Sequence, residues 1–389
     1  MEMSKKFKTV AGVLAAITLV GVACWIYQLM NGLTITGMNN ATSWGLYIMM
    51  FMFFVGLSAG GLIVASSASV FHIEKFKKVA LPAVICSTVC ICCAGLFVLI
   101  DLGGIFRIWN MLLSPNLKSP LLWDVCVITC YLVINVIYLY FMTSKKADKA
   151  KIAVVSRFAL PVAILVHSVT AWIFALQIAR ESWYSAIMAP IFVASAMDSG
   201  LALLLIVLVV LNALAIFKVG KDLVAMLAGL LATFVAVDAF FIGCELLTMA
   251  YPGTAHASAT LAEMTSGVTA PFFWFEMICG LLIPFLILVF AKNRQNTKLV
   301  VGASVLVVLG VLCKRAWLLF TAFLHPNVDG AAGITIGNGR LIEGMDIWTL
   351  GGMYAPTAFE LVIVAAVISL GALAFMVLSK MLIKPEDAQ

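Results

Sequence analysis

The stretch SWGLYIMMFMFFVGLSAGGLIVASSASVF, residues 43–71, runs for 29 residues without a single charge. About 20 apolar residues cross the hydrocarbon core of a bilayer as one helix, so this run is long enough to span with room for tilt. Nine more runs of the same kind occur, at roughly 9–31, 79–102, 121–143, 153–179, 184–217, 222–251, 268–291, 298–323 and 353–383. The chain of 389 residues is 64% hydrophobic and 11% charged, whereas a soluble domain carries about 25% charged residues. Its mean hydropathy is +1.13. The expected class is therefore all-α integral membrane, with about ten transmembrane helices. The short basic segment Met1–Lys8 precedes an apolar run, Val10–Leu29, that is too long for a signal-peptide core. It reads as a retained first helix.

Lysine and arginine in the connections set the expected orientation. One side collects Lys5, Lys6, Lys8, Lys75, Lys77, Lys78, Lys145, Lys146, Lys149, Lys151, Arg157, Lys218, Lys221, Lys292, Arg294, Lys298, Lys380 and Lys384. The other holds Arg107, Lys118, Arg180 and Arg340. Eighteen against four predicts that both termini and the even connections are cytoplasmic and the odd ones exported. The net charge of +6 is thus an orientation signal, and no nucleic acid partner is expected. The two longest connections, about 103–120 and 324–352, fall on the exported side, where they form either a cap or a docking surface for another subunit.

An internal repeat organises the runs. Ser43-Trp44, Ile48-Met49, Phe53 and Gly61-Leu62 recur 139 residues later as Ser182-Trp183, Ile187-Met188, Phe192 and Gly200-Leu201. Two helices on, Pro120-Leu-Leu-Trp123 is echoed by Pro271-Phe-Phe-Trp274. The expected architecture is two parallel four-helix bundles, helices 2–5 and 6–9, flanked by helices 1 and 10. The corresponding divisions are 1–42, 43–180, 181–323 and 324–389.

A charge at the centre of a membrane helix costs about 2.5–3.5 kcal/mol on insertion scales, so each one needs a reason. The candidates are His167, Asp198, Asp238, Glu245, Glu276, Lys314, Arg315 and Glu360. His167 precedes, and Asp198 follows, the fifth connection by similar lengths, which puts them at matching depth. An imidazole and a carboxylate there could bind a quinone oxygen and exchange its proton, or simply pair with each other. Lys314 and Arg315 share the outer half of their bundle with Glu245, Glu276 and Glu360, which predicts neutralisation between helices. A proton or ion path through these residues, with Asp238 as an inner relay, is the alternative. Asp101, Asp124 and Arg107 read as interfacial pairs. Trp44, Trp123, Trp183, Trp274, Trp348 and Tyr354 read mainly as an interfacial aromatic belt.

Other cofactors find little support. The ten cysteines all fall in apolar runs without cluster spacing, so they read as packing residues and no iron–sulfur cluster is expected in this chain. Of the four histidines only His167 is clearly intramembrane, which argues against bis-histidine haem. No resident metal is expected.

Ser43-Trp-Gly-Leu-Tyr-Ile48 with Phe54-Val-Gly-Leu-Ser-Ala-Gly-Gly61 resembles the second helix of the NrfD-like family, the polysulfide-reductase membrane subunits. The resemblance continues through Asp101-Leu-Gly-Gly with Arg107, Ser119-Pro-Leu-Leu-Trp-Asp124, Val166-His-Ser-Val-Thr-Ala-Trp172, and Trp183-Tyr-Ser-Ala to Ser199-Gly200. It ends on Lys314-Arg315 and Tyr354-Ala-Pro-Thr-Ala-Phe-Glu360, and so covers nearly the whole chain. It implies a haem-free subunit that exchanges electrons between menaquinone or ubiquinone and a ferredoxin-like iron–sulfur partner. A molybdenum, hydrogenase or multihaem catalytic subunit on the exported face commonly completes such complexes. It further implies a multi-pass protein of a bacterial or archaeal cytoplasmic membrane, in contact with membrane lipid. By this resemblance the quinone head group would lie in the first bundle towards the exported face, with His167, Asp198 and Trp172 as contacts. Relatives with eight helices have a polar pocket residue on helix 2, but Phe51–Phe54 is apolar here, which puts more weight on His167. Ten helices resemble the longer branch of the family. A transporter or ion-translocating module, using Asp238, Glu245, Lys314, Arg315 and Glu360, is the competing reading. A purely structural anchor is the third.

Overall fold

A computed structural model of the chain describes residues 5–39, 42–144, 149–324, 340–342, 345–346 and 354–383. Among these residues ten helices are long and apolar enough to cross a membrane. They are α1 (Lys5–Asn31), α2 (Leu46–Val70), α3 (Ala80–Asp101), α4 (Pro120–Thr143) and α5 (Lys149–Ala175). Then follow α6 (Met188–Ala213), α7 (Lys221–Ala250), α8 (Ala270–Leu288), α9 (Thr297–Thr321) and α10 (Ala358–Leu382). The protein is thus a multi-pass membrane protein, and each helix falls within one of the ten apolar runs or overlaps it almost entirely. His325 and Trp348, with most of the long connection before α10, lie outside the described residues; a two-stranded ribbon pairs Arg340–Ile342 with Met345–Asp346. One extra helix, Ala255–Ser266, lies between α7 and α8, where polarity hid it from a search for apolar runs.

The membrane helices pack as two closed rings. In the first, α2 touches α3, α3 touches α4, α4 touches α5, and α5 returns to α2. In the second, α6, α7, α8 and α9 close in the same order. The rings meet where α2 lies against α6 and α9, and α5 against α6. Helix α1 packs on α10, which leans on α3. Most of α1 faces outward, whereas α2 is buried nearly throughout.

Close packing explains why α2 and α6 hold the centre. A Cβ at Gly60 would collide with the Gly200–Leu201 backbone, and one at Gly200 with the Gly60 backbone. Lipid tails give apolar helix faces little reason to associate, so small residues that let backbones touch carry much of the attraction. Gly200 is the repeat partner of Gly61, so the two lead helices cross at corresponding points. Gly280 and Gly310 make the same kind of contact between α8 and α9. Polar side chains tie the first ring: Tyr131 shares a 2.8 Å hydrogen bond with Ser87 and donates to the Ser58 carbonyl at 3.0 Å.

The turns of α8 across Phe275–Leu282 take the wider π form. Pro284 supplies a local reason, because its ring clashes with the carbonyl four residues back and it has no N–H to donate. Such wide turns are frequent at functional sites. This one carries Glu276.

Candidate functional site

His167, Asp198, Asp238, Glu276, Lys314 and Arg315 are buried between the helices of the two rings. In the second ring, Lys314 Nζ on α9 donates to both oxygens of Asp238 on α7, at 2.8 and 2.9 Å. It also lies 3.4 Å from Glu276 Oε1 on α8. The Gly280–Gly310 contact sets this register: Glu276 stands four residues before its glycine and Lys314 four after its own, on antiparallel helices. Trp317 Nε1 completes Glu276 with a 2.5 Å bond to Oε2. Two carboxylates therefore hold one ammonium, and neither Glu245 nor Glu360 takes part.

Arg315, the next residue, points the other way, to the seam between the rings. Its Nη2 donates to Ser195 Oγ at 2.6 Å, and its guanidinium carbon lies 4.2 Å from the Phe192 ring centroid. Gly56 of α2 lies beside it across the seam. Nε and Nη1 have no hydrogen-bond partner. His167 on α5 has Arg315 as its charged neighbour, and its Nε2 is buried without a partner.

The expected pairing of His167 with Asp198 is not made. Asp198 faces the charges of the second ring, Asp238, Lys314 and Glu276. Neither of its oxygens has a well-formed hydrogen bond, although the Ser199 backbone N–H approaches. Similar spacing from the fifth connection does not fix the direction of a side chain around the helix axis. Arg315 is the residue between them: His167 lies on one side of it, and Asp198, Asp238 and Glu276 are its acidic neighbours.

Three other expected site residues lie elsewhere. Trp172 is on the outer surface of α5, 37% exposed, and does not line the cavity described below. Glu245 accepts from Ser185 Oγ at 2.6 Å near the lysine-poor end of α7. Glu360 caps α10, taking the Thr357 and Gly37 backbone N–H groups at 2.8 Å each and the Tyr354 hydroxyl. Asp124 is also buried, and accepts from Thr170 Oγ1 at 2.6 Å across the α4–α5 contact, where an interfacial ion pair was expected.

Towards the lysine-poor face the first ring opens into a cavity of about 350 Å³. Its lining includes Ser43, Trp44, Gln177, Arg180, Trp183 and Phe323. Cofactor and ligand pockets run from about 300 Å³ upwards, mostly apolar with a few placed polar groups. This cavity's volume falls in that range, with aromatic faces from Trp44, Trp183 and Phe323 and polar groups from Gln177 and Arg180 on the lining. Arg180 donates to the Ala322 carbonyl and lies over Phe323 and Trp183 at 5.0 and 6.0 Å. Below the cavity runs an aromatic column: Trp44 stacks on Trp183 at 6.0 Å, Phe174 meets both, and Phe192 lies 6.0 Å from Phe174. Phe192 leads on to Arg315. Trp183 is buried and Trp44 half-buried against it, whereas their sequence positions read as belt.

A family model described as "Polysulphide reductase, NrfD" matches residues 34–327, three-quarters of the chain and both rings. The chain belongs to the NrfD family. Three curated relatives extend the likeness. A protein of Halobacterium salinarum, named for the membrane component of a dimethyl sulfoxide reductase, is 36% identical over 386 residues, covering 94% of this chain and 88% of that one. A selenate reductase component of Mesobacillus selenatarsenatis is 27% identical, covering 82% and 83%. The Hdr-like menaquinol oxidoreductase integral membrane subunit of Archaeoglobus fulgidus is 28% identical, covering 96% and 95%. In this NrfD chain, sequence reasoning had found the charged residues. It missed Gln177, Ser195 and the aromatic column, because aromatic and small polar residues in an apolar helix carry no signal of direction.

Proposed function

We propose that this NrfD chain is the quinone-reactive membrane subunit of a respiratory oxidoreductase complex. In this reading it exchanges electrons between a quinone pool and an iron–sulfur subunit of that complex. The observation that carries the reading is a fully buried imidazole with an unpartnered nitrogen, neighbour to the Arg315 guanidinium in which an aromatic column from the cavity ends. A buried polar atom without a hydrogen bond is costly, and a quinone or hydroquinone oxygen would satisfy it. The relative named for menaquinol supports menaquinone as the species.

Quinone supplies the two-electron, two-proton chemistry; the chain supplies position and proton exchange. The rim groups Gln177 and Arg180 lie ten and thirteen residues after His167, and Ile173 six after it. At about 1.5 Å per residue, Ile173 and Gln177 are about 9 and 15 Å nearer the lysine-poor face. Direct exchange with His167 therefore requires Phe174 to turn aside so that the ring descends along the column. Arg315 keeps positive charge beside the imidazole and meets any negative charge that gathers there. The lysine-rich face is cytoplasmic in this reading, so the cavity opens to the exported side, beside the partner's cluster. The direction of electron flow follows from that partner's potential.

A second reading adds to the first. The unpartnered carboxylate of Asp198, surrounded by Asp238, Glu276 and Lys314, is suited to hold and release a proton within the second ring. Arg315 would then couple the two sites electrostatically.

The test is purification of the native complex with its soluble subunits, followed by quinone titration against the partner's iron–sulfur signals. Reduction or oxidation of those centres by the matching quinol or quinone is the expected result. A complex whose centres ignore both would overturn the proposal.

A further inference from the structure

The lysine-rich face holds the largest cavity described, a cleft of about 760 Å³. It lies between the start of α3, the end of α4, the α6–α7 connection and the end of α10. Nothing in the redox chemistry uses it. Its floor is apolar, formed by Leu81, Met142, Phe217, Leu223 and Leu382. Its edge carries Lys77, Lys78 and Lys218, all exposed. Lys77 is paired with Glu74 at 2.5 Å. Lys78 and Lys218 have no acidic partner among the described residues, and Asp222, in the first turn of α7, does not line the cleft.

The cleft is built from corresponding parts of the two repeats. Lys75 and Lys78 precede α3 as Lys218 and Lys221 stand at the start of α7, each pair separated by 143 residues. At the same spacing, His72 and Ala215 both adopt left-handed backbone, with φ of 56° and 54°, where α2 and α6 end. Both connections thus reverse sharply after their helix. They bring lysines and the N-termini of α3 and α7 towards one cleft. Helix N-termini add positive potential to that of the ammonium groups.

We propose that this cleft binds an anionic phospholipid, with its phosphate between Lys78 and Lys218 and an acyl chain along Leu81, Met142, Phe217 and Leu382. The position supports a lipid over a free anion. The cleft lies where the apolar helices end, at head-group level, and a free phosphate would leave the apolar floor unused. Basic pockets between membrane helices on the cytoplasmic side are suited to anionic head groups for the same reason. A zwitterionic lipid brings its own cation and loses the advantage. The proposal is independent of the quinone reading.

Native mass spectrometry of the full-length protein, released from detergent micelles with added lipid, tests it. Phosphatidylglycerol is compared with phosphatidylcholine of identical chains. The expected result is one tightly held phosphatidylglycerol, preferred at least fivefold. Lys78→Gln/Lys218→Gln removes the preference, while Lys78→Arg/Lys218→Arg keeps it. Lys292→Gln/Lys298→Gln, on the same face but away from the cleft, leaves it unchanged. Millimolar inorganic phosphate does not displace the lipid. Equal retention of both lipids overturns the proposal, as does a preference that survives the glutamine pair or vanishes equally in the control pair. Displacement by phosphate alone would instead make the cleft a free-anion site and overturn the lipid assignment.

Discussion

Arg315 of α9 donates to the hydroxyl of Ser195 of α6 at 2.6 Å, and that bond fixes a guanidinium at the seam between the two helical rings. From there it is the charged neighbour of His167 in the first ring and has Asp198, Asp238 and Glu276 as acidic neighbours in the second. No other buried cation has neighbours in both rings among the described residues. In the proposed function Arg315 is therefore the link between quinone chemistry and any proton movement.

Arg315→Gln is expected to lower quinol-dependent turnover at least about tenfold, about 1.4 kcal/mol of barrier, in complexes that still assemble. Arg315→Lys should recover only part of the loss, because an ammonium lacks the planar group that both stacks on Phe192 and reaches Ser195. Steady-state assays on the purified complex check this; full activity in Arg315→Gln would remove the link.

Lys314 and Asp238 make the opposite case, an ion pair with a structural role. Removing one partner of a buried pair costs about 3–5 kcal/mol, whereas replacing both with apolar groups is often neutral. Asp238→Asn leaves Lys314 with Glu276 alone and should destabilise the protein by up to about that amount, and Lys314→Met/Asp238→Leu/Glu276→Gln, which removes every charge of the group, should regain much of it. Asp198→Asn breaks no hydrogen bond and should leave stability within about 1 kcal/mol while changing proton uptake. Chemical unfolding in micelles, read beside pH-dye traces in proteoliposomes, separates the two carboxylates.

The crossing of α2 and α6 depends on bare backbone at Gly60 and Gly200. Gly60→Ala drives a methyl group into the facing backbone, and the expected outcome is loss of most folded protein. Gly95→Ala meets nothing within 4 Å and should be neutral or slightly stabilising. Yield and melting temperature of the two variants, prepared side by side, decide the point.

Much of this architecture was legible in the sequence. Runs of apolar length marked ten helices, and the repeat of Ser43-Trp44 and Gly61-Leu62 at Ser182-Trp183 and Gly200-Leu201 marked which helices correspond. The partners of the buried charges were not legible. Asp238 and Glu245 stand seven residues apart, on one face of α7, so only true depth could say which would meet Lys314. His167 and Asp198 stand at similar sequence distances from their connection, yet they meet different charged neighbours. Helices that are apolar all round have no polar face to fix that direction. Trp44 and Trp183 look like belt residues for the same reason: position along a helix suggests an interface, and only packing shows them stacked on each other, with Trp183 buried.

The cavity makes its own prediction. Trp44→Ala removes one wall of the stack and should raise the KM for quinol about tenfold with little change in kcat, since Trp44 makes no contact with His167's charged neighbour. Quinol titrations at fixed acceptor concentration check it. A loss confined to kcat would place the head group elsewhere.

The most direct measurement is turnover of His167→Gln in the assembled complex at saturating quinol. Gln keeps the size and polarity of the side chain but cannot take up a proton. A positioned acid–base group contributes about 10²–10⁴-fold, so at least a hundredfold drop in kcat is predicted with assembly intact. Turnover equal to that of the unmodified complex would contradict a proton-exchanging role for His167.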